Sequence, residues 1–184
     1  MNNDSKVYLD YAATTPMDDR VLAAMMPYFK GTFGNPSSIH YFGQQAEAGL
    51  EESRDKVASL FGARSDEIIF TSGGTESDNL AIRGTAFARK EKFGCDRIIT
   101  TLVEHHAVLH TVQQLEKMHG FKAEFLPVDS TGKVNPGDLR NILGSDVAVV
   151  SIIFANNEIG TINPIDEIGK VCREFGIPLH TDAV

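Results

Sequence analysis

Four short polar segments carry residue types from which a binding site could be built. They are residues 71–77 (Thr-Ser-Gly-Gly-Thr-Glu-Ser), 103–106 (Val-Glu-His-His), 156–160 (Asn-Asn-Glu-Ile-Gly) and 180–182 (His-Thr-Asp). A glycine-rich turn can bind a phosphate, an imidazole can stack on an aromatic ring, an amide can hold a phenolic oxygen, and a carboxylate can pair with a ring nitrogen. Which of these chemistries is available depends on where the fold puts each segment.

The first segment has the sequence of an anion-binding turn. Residues 71–75 follow a predicted strand over residues 67–70 and precede a helix predicted from Thr75 to about Lys92. A helix that begins after a glycine-rich turn presents unpaired backbone N–H groups and its positive dipole end to an anion. No Gly-Lys-Ser/Thr and no GxGxxG pattern is present, so the expected ligand is a phosphate compound smaller than a nucleotide. The alternative is that Thr75 only caps the helix, with help from Asp78.

Two adjacent histidines, His105 and His106, lie between a strand predicted over residues 97–101 and a helix predicted over residues 105–119. One of them could stack on an aromatic cofactor, and a structural role is the alternative. His106 and His110 also have the spacing of a helical metal pair, but no third ligand is evident, so no metal site is expected.

The last two segments follow predicted strands. Asn156 and Asn157 come after the most apolar one, over residues 147–154, and could turn toward a ligand or brace the loop. Asp182 ends the last strand, over residues 177–181, where a covered and unpaired carboxylate would be costly. Paired with a pyridinium nitrogen, it would keep that ring an electron sink. The four segments are therefore the parts of a pyridoxal 5'-phosphate site, without a lysine beyond Asp182 to hold the cofactor covalently.

The elements around these segments predict an α/β fold. Strands and helices alternate over residues 63–184, which indicates right-handed β-α-β units and a three-layer α/β/α arrangement with a mainly parallel sheet. In such sheets ligands bind at the carboxyl ends of the strands, where three of the segments lie. Residues 1–16 are expected to be irregular, with a short β-like run at residues 7–10. Residues 17–62 are expected to form two helices, one capped by Asp18 or Asp19 and ending near Gly31, and one running from about His40 to Phe61.

Composition excludes several classes of protein. A chain of 184 residues with 42% hydrophobic content can bury one sizeable core. Its net charge of −8 leaves no basic stripe for nucleic acid or a membrane surface, and no apolar run reaches membrane-spanning length. Cys95 and Cys172 are far apart and form no CxxC pattern, so both are expected to be structural thiols in a protein of the reducing cytoplasm.

In combination, the motifs resemble the NifS/IscS group of cysteine desulfurases, which are class-V aminotransferase-like enzymes of the fold-type I pyridoxal phosphate superfamily. The resemblance runs in order over essentially the whole chain. It rests on residues 8–16 (Tyr-Leu-Asp-Tyr-Ala-Ala-Thr-Thr-Pro), 34–38 with His40, 71–80, 104–105, 156–160 and 180–182. It implies that residues 1–184 form part of the large cofactor-binding domain, without the C-terminal part of the family.

The resemblance also implies an activity and a set of roles. The family converts L-cysteine to alanine and passes the sulfur, as a persulfide, to iron–sulfur scaffold or other sulfur-acceptor proteins, and a homodimer is implied. The implied cofactor contacts are the phosphate with Gly74 and Thr75, the ring face with His105, the 3' oxygen with Asn157 and Asn156 beside it, and the ring nitrogen with Asp182. His105 would also assist proton transfer.

Two parts of the family's machinery have no counterpart in this sequence. None of its nine lysines matches the position that holds the cofactor, and neither cysteine matches the one that carries the persulfide. The chain alone is therefore expected to lack turnover, as part of a desulfurase. Two alternatives remain: a non-catalytic binding or dimerisation module that keeps the fold, and a related class-V aminotransferase or lyase that acts on another amino acid.

Overall fold

A computed structural model describes residues 6–184 of the chain. They form two compact units, one ending at Phe70 and the other comprising Thr71–Val184. The first five residues of the segment expected to be irregular lie outside the described residues.

The first unit consists mainly of two helices, as predicted. Helix α1 spans Asp19–Lys30 and is capped by Asp18, whose carboxylate accepts a hydrogen bond from the backbone N–H of Arg20. Helix α2 spans Tyr41–Phe61 and begins after His40. It ends at Gly62, whose positive φ of 63° suits a residue without a Cβ atom. A short 3-10 helix, Ser65–Glu67, completes the unit.

Two predicted strands whose residues lie in the first unit do not form. Residues 7–10 have no regular secondary structure, and residues 68–70 follow the 3-10 helix without pairing, with Ile69 67% exposed. A strand requires a neighbour to accept and donate its backbone hydrogen bonds, and no described strand pairs with either run. Leu60, near the end of α2, is 82% exposed, and the described residues of its unit do not cover it.

The second unit contains a four-stranded parallel sheet. Strand β1 is Arg97–Thr100, β2 is Lys122–Phe125, β3 is Val147–Ser151 and β4 is Leu179–His180. Their order across the sheet is β2-β1-β3-β4, and every neighbouring pair is parallel. The predicted mainly parallel sheet is confirmed, with shorter strands than the apolar runs indicated.

Helices cover both faces of this sheet. Helices α3 (Gly74–Phe93) and α4 (His106–His119) pack on one face, in an apolar cluster with the strand residues Ile98 and Val149. Helices α5 (Pro136–Ile142) and α6 (Ile165–Glu174) pack on the other, with Ile99 and Val150. Adjacent strand residues point to opposite faces, so the predicted three-layer arrangement is confirmed. None of the described helices combines the length and apolar character needed to cross a membrane.

Both cysteines are buried in this unit. Cys95 is 1% exposed and its Sγ lies 3.2 Å from the carbonyl oxygen of Ser145, to which it donates. Cys172 is also 1% exposed, in the cluster under α5 and α6. Burial raises the pKa of the Cys172 thiol to about 11, against a smaller opposing effect of Arg173. These surroundings support the structural role predicted for both thiols.

Candidate functional site

The predicted site residues of the second unit gather at the carboxyl edge of its sheet. Strands β1, β3 and β4 run parallel, so His105, Asn156 and Asp182, which follow them, lie at the same edge. The start of α3 lies against the segment after β4. A Cβ atom added to Gly74 would lie 2.6 Å from Val184 Cγ2, so a larger residue at this position would displace the side chain of Val184.

The N-terminus of α3 is open. Its N-cap is Gly73, which supplies no side-chain cap, and the first paired amide is that of Ser77, bonded to the carbonyl oxygen of Gly73 at 3.1 Å. Within residues 6–184, the N–H groups of Gly74, Thr75 and Glu76 have no hydrogen-bond acceptor. The alternative in which Thr75 caps the helix is therefore wrong. Unpaired N–H groups at the positive end of a 20-residue helix can bind an anion.

One side of this turn is occupied by a carboxylate of the same segment. Glu76 Oε2 accepts hydrogen bonds from the backbone N–H of Ser72 at 2.7 Å and from its hydroxyl at 2.6 Å. These two bonds lower the pKa of Glu76, so it carries its charge at neutral pH. A bound anion would have to sit beside this negative charge.

His105 is the N-cap of α4 and has a defined tautomer. Its Nδ1 accepts a hydrogen bond from the backbone N–H of Ala107 at 3.1 Å, so Nδ1 carries no proton and Nε2 is the free nitrogen. The ring is exposed and borders two pockets. One, of about 300 Å³, also contacts Thr75, and the other, of about 220 Å³, also contacts Asn157. His105 therefore lies between two other residues of the predicted site.

The neighbouring histidines form no metal centre with the residues around them. The rings of His106 and His110 are 5.3 Å apart, centroid to centroid, on one face of α4. Among residues 6–184, no group of three or more His, Cys, Asp or Glu side chains has the geometry to hold a metal ion.

Asn156 and Asn157 have different surroundings. Asn156 Nδ2 donates to the carbonyl oxygen of Val103 at 2.7 Å, and its Oδ1 accepts from the N–H groups of Glu158 and Ile159 at 2.8 and 2.9 Å. Asn157 is exposed, and no hydrogen bond to the rest of the described chain holds its amide. The geometry therefore favours the bracing alternative for Asn156 and leaves the side chain of Asn157 available to a ligand.

Asp182 and Asp78 are two buried carboxylates that influence each other. Asp182 is 7% exposed, and its Oδ1 accepts from the backbone N–H of Val184 at 3.1 Å. Asp78, on α3, is 4% exposed. Burial, followed by the charge of Asp182, raises the pKa of Asp78 to about 6, while the nearby His105 opposes the rise. A cation beside Asp182 would relieve this repulsion.

A third buried carboxyl group, Glu104, joins two strand ends. Its Oε1 accepts from the hydroxyl of Thr101 at 2.7 Å and from the backbone N–H of Ile153 at 3.0 Å, while the buried Oε2 has no partner in the described chain. Burial raises its pKa to about 7 against the effect of these two bonds, and the charges of Asp182 and Asp78 add to the rise. Glu104 thus ties the segment that carries His105 to the chain after β3.

His180 connects the sheet to α3. Its Nδ1 lies 2.8 Å from the hydroxyl oxygen of Ser151, at the end of β3, and its Nε2 lies 3.4 Å from Asp78 Oδ1. Burial lowers the pKa of His180, and the charge of Asp182 only partly offsets this effect. The imidazole is therefore neutral at neutral pH.

Sequence reasoning assigned no ligand-site role to Asp78, Glu104, Ser151 or His180. A signal existed for Asp78, because it lies four and eight residues before Ile82 and Ala86, on the buried face of α3. A carboxylate on an apolar helix face indicates a polar partner inside. Glu104 and His180 were recognised only as parts of motifs, and nothing in the sequence distinguished Ser151 from other strand residues.

Comparisons with known proteins agree with one another. A family model described as Aminotransferase class-V matches residues 7–184. Cysteine desulfurase IscS of Dictyoglomus turgidum is 56% identical over 179 residues, which are 97% of this chain and 45% of that protein. The putative cysteine desulfurase IscS 1 of Bacillus subtilis is 51% identical over 179 residues, again 97% of this chain and 46% of that protein.

Solved structures show the same fold. A NifS-like protein superposes with a TM-score of 0.90 at 40% identity, covering 97% of this chain and 49% of that one. SspA in complex with cysteine superposes with a TM-score of 0.88 at 38% identity, covering 95% and 49%. The chain thus spans about half the length of the relatives that it matches.

Proposed function

This chain belongs to the class-V aminotransferase family, and from that premise we propose that it is the cofactor-binding half of a pyridoxal-phosphate-dependent cysteine desulfurase. The observation that carries the proposal is the carboxyl edge of the sheet, where the open N-terminus of α3, the free face of His105 and the buried Asp182 lie together. The desulfurase names of the relatives support the activity, and the cysteine bound to SspA supports the substrate.

The residues present fit pyridoxal phosphate. The unpaired N–H groups of Gly74 and Thr75 would hold the phosphate, and the exposed ring of His105 would face the pyridine ring. Asp182 would accept a hydrogen bond from a protonated ring nitrogen. The positive charge of that nitrogen would also relieve the repulsion between the buried carboxylates of Asp182 and Asp78. Asn157 is the available amide for the ring hydroxyl. Bound there, the cofactor would supply an electron sink for a carbanion at the α-carbon of the substrate.

His105 has the geometry of a proton-transfer group. Because its Nδ1 is held by the N–H of Ala107, the ring orientation is set and only Nε2 can exchange a proton. Imidazoles as a class titrate near neutral pH, so they can both accept and release a proton there. We propose that Nε2 of His105 accepts and donates the protons that this chain exchanges with the substrate. Asn156 keeps the loop beside it in place by bonding to Val103.

The whole protein's chemistry follows from the same proposal. L-cysteine would be converted to alanine, and its sulfur would leave as a persulfide for iron–sulfur scaffold or other acceptor proteins. A homodimer working in the cytoplasm is the proposed form. The lysine and the sulfur-carrying cysteine that this chemistry requires would come from polypeptide other than residues 1–184.

A non-catalytic binding module is a second candidate, and the positions of Lys90 and Lys122 agree with it. Lys90 donates to the carbonyl oxygens of His119 and Gly120, and Lys122 pairs with Asp96. These partners precede β2 and β1, so both ammonium groups lie at the amino edge of the sheet, opposite the candidate site. Neither can reach a cofactor beside Asp182.

The test separates binding from turnover. Pyridoxal phosphate is titrated into the purified chain while ring absorbance is recorded, and alanine and sulfide are measured after cysteine is added. We expect saturable binding that Asp182→Asn weakens roughly tenfold, the loss of one charged hydrogen bond. Asp166→Asn removes an exposed carboxylate on α6 and serves as the control. Equal affinities for the two variants, or no saturable binding, would contradict the proposed site.

A further inference from the structure

Three polar side chains from three elements, two of them buried and one partly buried, form one continuous contact in the second unit. Ser151 is the last residue of β3, His180 the last of β4, and Asp78 lies in the first turns of α3. Ser151 and Asp78 are 0% and 4% exposed, and the His180 side chain is 13% exposed. His180 contacts Ser151 through Nδ1 and Asp78 through Nε2.

The surroundings determine which nitrogen of His180 carries the proton. Above about pH 6 Asp78 is ionised, and a lone pair on Nε2 facing that carboxylate would be repelled. Nε2 therefore carries the proton and lies 3.4 Å from Asp78 Oδ1, a polar contact longer than an ordinary hydrogen bond. Nδ1 then accepts a hydrogen bond from the hydroxyl of Ser151 at 2.8 Å.

This arrangement spans the two ends of the proposed site. Asp78 lies four residues after Gly74, so it moves with the N–H groups at the start of α3. His180 lies two residues before Asp182, and its backbone is held by the sheet, where the N–H of Ile152 donates to its carbonyl oxygen at 3.1 Å. The imidazole thus connects the anion-binding end of α3 to the strand that carries Asp182.

We propose that His180 is a positioning residue that holds the N-terminus of α3 at the distance from Asp182 that a phosphorylated pyridine ring requires. The inference rests on the proposed function, because it assumes that one ligand engages both ends. Such a ligand gains affinity when the two ends are held at the right distance in advance, whereas a ligand that engages one end gains nothing.

Three probes therefore distinguish positioning from general stability. The asparagine of His180→Asn is shorter than histidine, so it keeps an acceptor near Ser151 but no longer reaches Asp78. In this variant the affinity for pyridoxal phosphate falls roughly tenfold. Affinities for inorganic phosphate and for pyridoxal stay within about twofold, since each engages one end. His180→Gln extends an amide toward Asp78 and restores most of the loss. His119→Asn, at the far end of α4, leaves all three affinities unchanged.

Hydrogen exchange without ligand provides an independent reading. His180→Asn should speed exchange in peptides covering residues 74–79, while those covering β1 and β3 keep their protection. Equal losses for all three probes, or unchanged exchange at residues 74–79, would overturn the positioning role. A wild-type chain that binds no pyridoxal phosphate would refute the proposed function, and the exchange at residues 74–79 would still decide whether His180 holds α3 in place.

Discussion

Replacing Glu104 by glutamine should make the stability of the chain less dependent on pH. The carboxyl group is 6% exposed, and its Oε1 accepts from Thr101 and Ile153 while its Oε2 is buried without a partner in the described chain. Glutamine keeps an acceptor for both donors and puts an uncharged amide where Oε2 lies. The variant therefore removes one ionisation and keeps the connection between the ends of β1 and β3.

The expected magnitude follows from the pKa of Glu104, which burial raises from 4.5 to about 7. The folded state prefers the protonated form of Glu104. The stabilising contribution of this carboxyl group is therefore complete below pH 4.5 and is lost as the pH rises to about 7. At about 1.36 kcal/mol per pKa unit, the loss between pH 4.5 and pH 8 amounts to about 3 kcal/mol in the wild type. In Glu104→Gln this loss disappears, so the variant gains on the wild type by about that amount between the two pH values.

Urea unfolding at several pH values between 4.5 and 8 measures this difference. Far-UV circular dichroism is the suitable signal, because the chain has no tryptophan and its four tyrosines all precede Phe70, in the first unit. The effect of His180 is present in both proteins and cancels when the two curves are subtracted, whereas the repulsion between Asp78 and Glu104 is part of the measured difference. Glu91→Gln, at an exposed position of α3, is the control. A stability difference between Glu104→Gln and wild type that stays constant from pH 4.5 to 8 would refute the reasoning.

Four further outcomes are expected. With added pyridoxal phosphate and cysteine, the 184-residue chain should release alanine and sulfide no faster than free cofactor does, and sustained turnover above that background would reopen the question of catalysis. Phosphate should shift the NMR amide resonances of residues 74–76, more strongly in Glu76→Gln; unmoved resonances would mean that the turn is closed by its own side chains. Borohydride treatment of the cofactor-loaded chain should yield no lysine adduct by mass spectrometry; an adduct on one specific lysine would show a covalent site. Asn156→Ala should lower the free energy of unfolding by about 1–3 kcal/mol, whereas Asn157→Ala should change it by less than about 0.5 kcal/mol and weaken only cofactor binding; the reverse pattern would exchange their roles.

Local sequence signals predicted most of the second unit correctly. The alternation of apolar runs with helical periodicity predicted the parallel sheet and its two helical layers, because both periods follow from which faces must be buried. The unpaired start of α3 was also predictable, since glycines before a helix leave its first amides without side-chain caps.

Pairing between distant segments was not predictable in the same way. Residues 67–70 have the apolar composition of a buried strand, yet strand formation depends on a neighbour whose identity the local sequence does not contain. The same limit applies to Glu104 and His180, whose importance comes from partners 49 and 29 residues away along the chain, Ile153 and Ser151. Their side chains are ordinary in sequence and become informative only through burial.

The burial of both cysteines has a consequence for how sulfur would be traced on this chain. A thiol attacks a persulfide or an alkylating reagent as its thiolate, and Cys172 is kept protonated and covered at neutral pH. Cys95 is equally covered, with its hydrogen directed at the carbonyl oxygen of Ser145. If the chain takes part in cysteine desulfuration as proposed, both thiols stay unreactive while the fold persists. Isotopically labelled sulfur that accumulates on either one would therefore report unfolding and not transfer.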